Sequence, residues 1–311
     1  MAWYNSSWLK RKAITLTGGS SGAQTDYQVK LTVTYDSDMQ SDFDDLRFTK
    51  ADGTTLLDAW MESYTVSTSA VVWVETDTPA NTVEADIYMY YGNSGAVSDW
   101  DGAATFQVFD DFEGSAIDTD IWDSTITNVT TSTDQAFQGS KSAKFPNSAE
   151  LRKTLTHSEN IRIKYWLWAP EDTDYGYIAL HGDSGSRVYC ALGYPTEGEF
   201  GYYASGWVDT EQAISWSTWK SIEFNKFNYS TNKFDMYYDD VKIIDVGGQR
   251  IGSDYNNVFR MLSQNMMWYL DCFLVAKYVE NPATSAFGSE EDAPSVGSPM
   301  WYYALLNRRN L

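Results

Sequence analysis

The sequence predicts an all-β chain, and three observations carry that prediction. Apolar residues recur two apart, as in Tyr27-Gln28-Val29-Lys30-Leu31-Thr32-Val33-Thr34-Tyr35, the spacing of a half-buried strand. The 3.6-residue spacing of an amphipathic helix is nearly absent. Clusters of Gly, Asn, Asp and Ser interrupt the alternation every ~8–12 residues, the rhythm of a sandwich or jelly roll. With 311 residues, 43% hydrophobic and 21% charged, the chain has apolar material for two medium cores.

Taken in order, the first region covers residues 1–105 and reads as an antiparallel β-sandwich. Its strands are Lys12–Thr17, Tyr27–Tyr35, Ala70–Glu75 and Ala85–Tyr91, with turns at Gly18-Gly19-Ser20-Ser21-Gly22 and Ala51-Asp52-Gly53-Thr54. The glycine-rich turn is no phosphate loop, because it lacks the lysine and leads into a strand. The second region, residues 106–288, carries strands at Asn160–Trp168, Tyr175–Leu180, Ser186–Leu192, Phe200–Ala204, Trp219–Asn225, Lys233–Tyr238, Val241–Val246 and Trp268–Tyr278. Tyr238-Asp239-Asp240-Val241 reads as a tight hairpin without the usual glycine.

Residues 289–299 read as a linker by composition. Residues 300–311 gather Trp301, Tyr302, Tyr303, Leu305 and Leu306 ahead of Arg308 and Arg309. A free helix of that length is marginal in water, so this apolar, cationic tail is a candidate docking peptide on an acidic body. The alternative is a last element folded onto the chain's own surface.

Charge and cysteine content exclude several classes. A formal charge of −21 repels phosphate backbones and anionic lipid, so no nucleic-acid partner is expected. The apolar runs are far shorter than the ~20 residues of a membrane helix, so no membrane insertion is expected. Met1 to Lys12 lacks an apolar signal-peptide core, leaving retention where it is made, non-classical export, or transport on an assembled particle. Cys190 and Cys272 sit in apolar strand contexts and read as small buried hydrophobes.

The motifs then resemble a known family. Trp8-Leu9-Lys10-Arg11-Lys12-Ala13-Ile14-Thr15, Phe43-Asp44-Asp45-Leu46-Arg47-Phe48-Thr49, Val71-Val72-Trp73-Val74 and Ile87-Tyr88-Met89-Tyr90-Tyr91-Gly92-Asn93 resemble the domain of unknown function 2341 family. That family is prokaryotic and viral, found mainly in surface and secreted proteins, without an established activity. Phe109-Asp110-Asp111-Phe112-Glu113-Gly114 with Trp122, and the closing Tyr269–Tyr278 segment, resemble the first and last parts of a concanavalin-like jelly roll, a domain that often follows the first. The resemblance implies a non-catalytic, two-module surface protein.

Three constellations are candidate sites. Asp111 and Glu113 at the start of the second region and Asp271 on its last strand place carboxylates on strands that are commonly neighbours in a jelly roll. Such hard oxygens suit calcium. Carbohydrate-binding jelly rolls resemble this arrangement, and Gly139-Ser140-Lys141 matches where they lend backbone carbonyls, so the resemblance implies a structural Ca2+. Trp166, Trp168, Tyr175, Tyr177, Tyr202 and Trp207 are a candidate carbohydrate-binding set, since flat rings stack on the C–H faces of pyranoses. Trp166 and Trp168 share one strand face and Leu167 takes the other; the alternation does not say which face is outward. Glu197 and Glu199 are the weakest candidates, a carboxylate pair in a turn-like segment without a His-based nucleophile arrangement.

Together these readings predict a recognition or display protein outside the cell. The first expectation is a component of a prokaryotic virion, such as a capsid decoration, spike or tail-fibre module, that docks fellow subunits through its tail as an oligomer and meets host glycans through its jelly roll. The alternatives are a secreted or cell-surface carbohydrate-binding adhesin, and a polysaccharide-degrading enzyme.

Overall fold

The structure, a computed structural model, describes residues 2–155, 160–170, 176–182, 187–193, 195–203, 207–228, 233–244, 256–263 and 265–294. The alternation sets its strands in chain order: β1 (Lys10–Thr17), β2 (Gln24–Thr34), β3 (Arg47–Thr49), β4 (Ala59–Thr65), β5 (Ser69–Thr78) and β6 (Glu84–Tyr91), then one helical turn, α1 (Gly102–Thr105). Next come β7 (Val108–Asp110), β8 (Thr130–Ser132), β9 (Ser142–Phe145), β10 (Ala149–Thr154), β11 (Ile161–Trp168), β12 (Gly176–Gly182) and β13 (Arg187–Leu192). The series closes with β14 (Glu199–Tyr203), β15 (Trp207–Ala213), β16 (Lys220–Asn228), β17 (Lys233–Tyr238), β18 (Val241–Ile244), β19 (Asn256–Ser263), β20 (Trp268–Lys277) and β21 (Thr284–Asp292). The chain is all-β and antiparallel, as its period-two pattern predicts. No helix among the described residues is long and apolar enough to cross a membrane.

Two compact units divide the chain. One joins the residues up to Thr105 with the segment from Asn281 onward, and the other is Phe106–Glu280. The first unit holds a four-stranded sheet, β21-β1-β6-β3, and a three-stranded sheet, β2-β5-β4. Ile14, Leu16, Ile87 and Met89 are buried on one sheet, and Val29, Leu31, Val33, Val72 and Val74 on the other. The Phe43–Thr49 block owes its pattern to Asp45. This fully buried carboxylate accepts the backbone N–H groups of Gln40, Gly92 and Asn93, which ties the Phe43 loop to the end of β6.

Of residues 289–299, read as a linker, the structure corrects 289–292, while 295–299 lie outside the described residues. Ser289–Asp292 finish β21, which pairs with β1 in the register Lys10↔Asp292, Arg11↔Glu291 and Lys12↔Glu290. The acidic run is the complement of a basic strand: Lys10 Nζ meets Glu290 at 2.6 Å and Asp292 at 2.8 Å, and Arg11 meets Glu291 at 2.7 Å. Every β21 residue is exposed, so an edge strand of this kind carries no apolar alternation and resembles a solvated connector. The second unit likewise ends at Glu280, not at residue 288.

The second unit stacks a six-stranded sheet, β10-β19-β12-β13-β14-β15, against an eight-stranded one, β18-β17-β16-β11-β20-β9-β8 with β7 added onto β20. Ile163, Tyr165, Phe224, Leu270 and Phe273 from the larger sheet meet Leu151, Phe259, Met261, Leu192 and Phe200 from the smaller one in a single core. Rings cross the interface at 5.9 Å (Tyr165 with Phe259) and 4.8 Å (Phe200 with Tyr238). Cys190 and Cys272 are free and buried.

Two local features set the geometry of the larger sheet. The β17–β18 hairpin turns at Asp239 and Asp240 with φ of 52° and 63°. This left-handed pair makes a glycine-free hairpin turn, which Asp tolerates. Lys220 meets the Asp239 carboxylate at 2.6 Å and Lys164 meets Asp240 at 3.2 Å, anchoring the turn. In β20, Cys272 sits at φ 48° where the register against β11 slips. That bulge resets the alternation, so Leu270 and Phe273 both face the core although they stand an odd number of positions apart.

Candidate functional site

The face of the eight-stranded sheet that turns away from the core carries the chemistry. Along β11, Ile161, Ile163, Tyr165 and Leu167 enter the core, so alternation sends Arg162, Lys164, Trp166 and Trp168 to the other face. The ladder lines up their neighbours: Trp168 opposes Tyr269, Trp166 lies between Ser221 and Asp271, and Lys164 opposes Glu223. Further out, Glu223 opposes Tyr237, Asn225 opposes Asp235, and Tyr237 opposes Lys242.

At one end of this face is an aromatic patch. Trp168 meets Tyr269 edge-on at 5.5 Å. Phe137, carried by the loop between β8 and β9, stacks on Trp166 at 4.6 Å and 13°, and Trp219 lies 6.2 Å from Phe137. Trp168, Phe137 and Trp219 are half-buried, so each presents ring surface to solvent. Lys144 Nζ lies 5.7 Å from the centre of the Tyr269 ring and meets Asp134 at 2.6 Å, while the Tyr269 hydroxyl donates to the same carboxylate at 3.2 Å. The patch is therefore edged by a fixed charge pair.

The rest of the face is polar yet buried. Lys164 is wholly enclosed, Asp235 is 1% exposed and Asn225 is 3% exposed. Rings and long aliphatic stems cover them: Lys164 runs to 5.1 Å from the Trp166 ring centre and Lys242 to 5.7 Å from that of Tyr237. Charges pair across the strands, Arg162 with Glu223 at 2.8 Å and Lys242 with Asp235 at 2.8 Å. Asn225 donates to Glu223 at 2.5 Å, while its own side-chain oxygen has no donor among the described residues. Such a face offers flat rings at one end, with most of its polar groups enclosed beneath side chains.

Only part of the predicted aromatic set gathers here. Trp166 and Trp168 do share the outward face, but Trp166 is 5% exposed beneath Phe137 and offers no open platform. Tyr202 and Trp207 belong to β14 and β15 of the other sheet, where Tyr202 packs against the core. The set was drawn from proximity in sequence, whereas the chain places these strands in opposite layers. Tyr177 lies on β12 of that same smaller sheet, and its side chain falls outside the described residues, as do Tyr175 and the tail residues Trp301, Tyr302, Tyr303, Leu305, Leu306, Arg308 and Arg309. Phe137, Trp219 and Tyr269 were missed. Tyr269 was legible, being two residues from Asp271 on one strand; Phe137 and Trp219 lie beside strands that only the register brings together.

The carboxylates of the expected calcium centre are differently employed. Glu113 Oε1 accepts the backbone N–H groups of Ser140 and Lys141, both at 2.7 Å, and Oε2 accepts the Ser140 hydroxyl at 2.7 Å. Burial works against its charge, but these donors outweigh it and hold the carboxyl below its ordinary value. Asp271 Oδ2 accepts Phe137 N at 2.7 Å and Gln138 N at 3.2 Å, and Oδ1 accepts Cys272 N at 2.7 Å. Asp111 accepts the Glu113 N–H at 3.2 Å. Among the described residues, Asp111, Glu113 and Asp271 do not all bring an oxygen within 4.8 Å of one another, and the Lys141 ammonium already binds the carbonyls of Glu113 and Gly114. This arrangement does not fit a calcium centre. These two acids clamp the loop that carries Phe137, Glu113 at residues 140–141 and Asp271 at 137–138.

Other acidic groups among the described residues are held in contacts of their own. Glu199 bonds directly to Asp209, and that contact raises its carboxyl above the ordinary value. Two touching carboxyls leave no space for a glycosidic oxygen and a water, which needs ~5–9.5 Å. In the first unit Asp36, Asp38 and Glu290 lie within 4.8 Å of one another, but Lys10 and Lys12 are seated on them at 2.6–3.4 Å. That group is an ion-pair network.

Known proteins place this geometry in context. Among solved structures, a protein titled sialidase is similar at 10% identity and a TM-score of 0.41, over 63% of this chain and 20% of that one. An endo-β-1,4-glucuronan lyase from the fungus Trichoderma reesei is similar at 11% identity and 0.39, over 55% of this chain and 95% of the lyase. The carbohydrate-binding module CBM66 from Bacillus subtilis is similar at 11% identity and 0.35, over 50% and 94%. The chain thus spans about a fifth of the sialidase. All three scores lie below 0.5, so the functional reading has to stand on the side chains. No curated protein matches the chain. A family model described as Domain of unknown function (DUF2341) matches residues 42–125, which include the Phe43, Val71 and Ile87 blocks, continue through Phe109–Gly114 and Trp122, and leave out Trp8–Thr15.

Proposed function

We propose that the chain is a non-catalytic recognition module that binds glycans on the outer face of its eight-stranded sheet. One observation carries the reading: Trp168, Trp219 and Phe137 present half-buried rings together at the end of a face whose remaining members are buried hydrogen-bonding groups. Rings of that kind cover the apolar faces of a pyranose, and the exposed Asp134 carboxylate at the edge of the patch accepts from its hydroxyls. Catalysis has no comparable support, because the acidic pairs described above are either in contact with each other or neutralised by lysines.

Affinity electrophoresis through gels containing plant, fungal and bacterial polysaccharides tests the proposal. Trp168→Ala and Trp219→Ala should each weaken retention by about tenfold, the worth of one ring's stacking and burial. Trp207→Ala, on the other sheet, should leave it unchanged. Equal retention of all three variants would dismiss this face as the site.

A further inference from the structure

The charges on this face also say which glycans it takes. The cations placed on it are already matched: Lys144 by Asp134, Arg162 by Glu223, Lys164 by Asp240, Lys242 by Asp235 and, at the β16 bulge, Lys226 by Glu280, at 2.6–3.2 Å. An anionic sugar would have to take one of these cations from its carboxylate. That exchange is close to neutral in energy at best, and it leaves the displaced carboxylate beside the incoming anion. The whole chain, at −21, opposes the approach as well.

A hydroxyl faces no such conflict. It can donate to a carboxylate oxygen while that carboxylate keeps its cation, and accept from an ammonium in the same geometry. Asn225, by contrast, is closed off: its side-chain oxygen is buried and without a donor among the described residues, so hydroxyl contacts fall to exposed carboxylates, first Asp134 at the edge of the ring patch.

We infer that the face selects neutral, hydroxyl-rich glycans over polymers bearing uronate, sialate or sulfate. The inference rests on the glycan-binding reading above and specifies its ligand class. It implies recognition built from stacking and neutral hydrogen bonds, with little dependence on ionic strength.

The test uses the full chain against neutral polymers (mixed-linkage glucan, arabinan, galactomannan) and acidic ones (polygalacturonate, alginate), at about 20 and about 500 mM NaCl. Retention is expected on at least one neutral polymer, with affinity changing less than about twofold between the two salts, and on neither acidic polymer. Glu223→Gln keeps an acceptor for Asn225 but releases Arg162, and should bring retention on an acidic polymer at low salt. Stronger retention of the unaltered chain on an acidic polymer, or a neutral-polymer affinity that falls about tenfold with salt, overturns the selectivity. Retention on neither class overturns the glycan reading itself, so the two failures are distinguishable.

Discussion

Replacing Asp271 by Asn asks whether a buried carboxylate governs the pH response of the second unit. Burial, outweighing three backbone N–H donors, lifts this carboxyl from 3.8 to about 7. Between pH ~4 and pH ~7 the folded chain therefore holds a proton that the unfolded chain has released, and stability must fall as pH rises through that window. The contribution is fully present below the unfolded value and gone above the folded one. At about 1.4 kcal/mol per pH unit the cost reaches about 3–4 kcal/mol by pH 8. An amide has no proton to lose. Asp110, raised to about 6 chiefly by burial, titrates with the same sign but in both proteins, so the difference between them isolates Asp271. Urea denaturation followed by tryptophan fluorescence at pH 4, 6 and 8 reads that difference. The stability of D271N relative to the unaltered chain should shift in the variant's favour by about 3–4 kcal/mol from pH 4 to pH 8. A difference constant within about 1 kcal/mol over that range would refute the reasoning.

Other perturbations have equally definite outcomes. Gly139 has φ +61°, and a Cβ there would lie 2.4 Å from the Glu113 carboxyl oxygen, so Gly139→Ala should cost about 2 kcal/mol or more by urea denaturation and loosen the Phe137 loop. Cys272→Val forces a β-branched side chain into the left-handed bulge of β20 and should lower the melting temperature of that unit, whereas Cys272→Gly, which relieves the strain but loses a buried side chain, should do so less. Ending the chain after Glu280 removes β21 and uncovers Lys10, Arg11 and Lys12; calorimetry should show the transition of the first unit lowered and that of the second unchanged. Excess EDTA should leave the second unit's melting temperature within about 1 °C, since the Glu113 and Asp271 oxygens are bound by N–H and O–H donors.

How far the sequence could be read differs from one part of the chain to another. Tyr27–Tyr35 and Asn160–Trp168 alternate cleanly and form strands, because one of their faces meets a core. The Asp239-Asp240 turn was legible as a hairpin, and its left-handed backbone explains why it works without glycine. The short β3, β7 and β8 carry too few residues to show any period, and β21 shows none because every residue of it is exposed. Calcium was inferred from acids in the expected places. The places hold, but the acids spend their oxygens on the loop at residues 137–141, a fact of hydrogen-bond geometry that residue types do not encode.

Composition and alternation alone determined that this chain is built of strands, that its acidity disfavours nucleic acid, and that Trp166 and Trp168 share a face, since these follow from local chemistry and a two-residue period. Which face that is, which strands lie beside it, and how each charge is neutralised were decided by the tertiary structure. Strand pairing joins residues far apart in sequence, as Trp168 with Tyr269 and Lys10 with Asp292, and a single bulge at Cys272 resets which side chains face out.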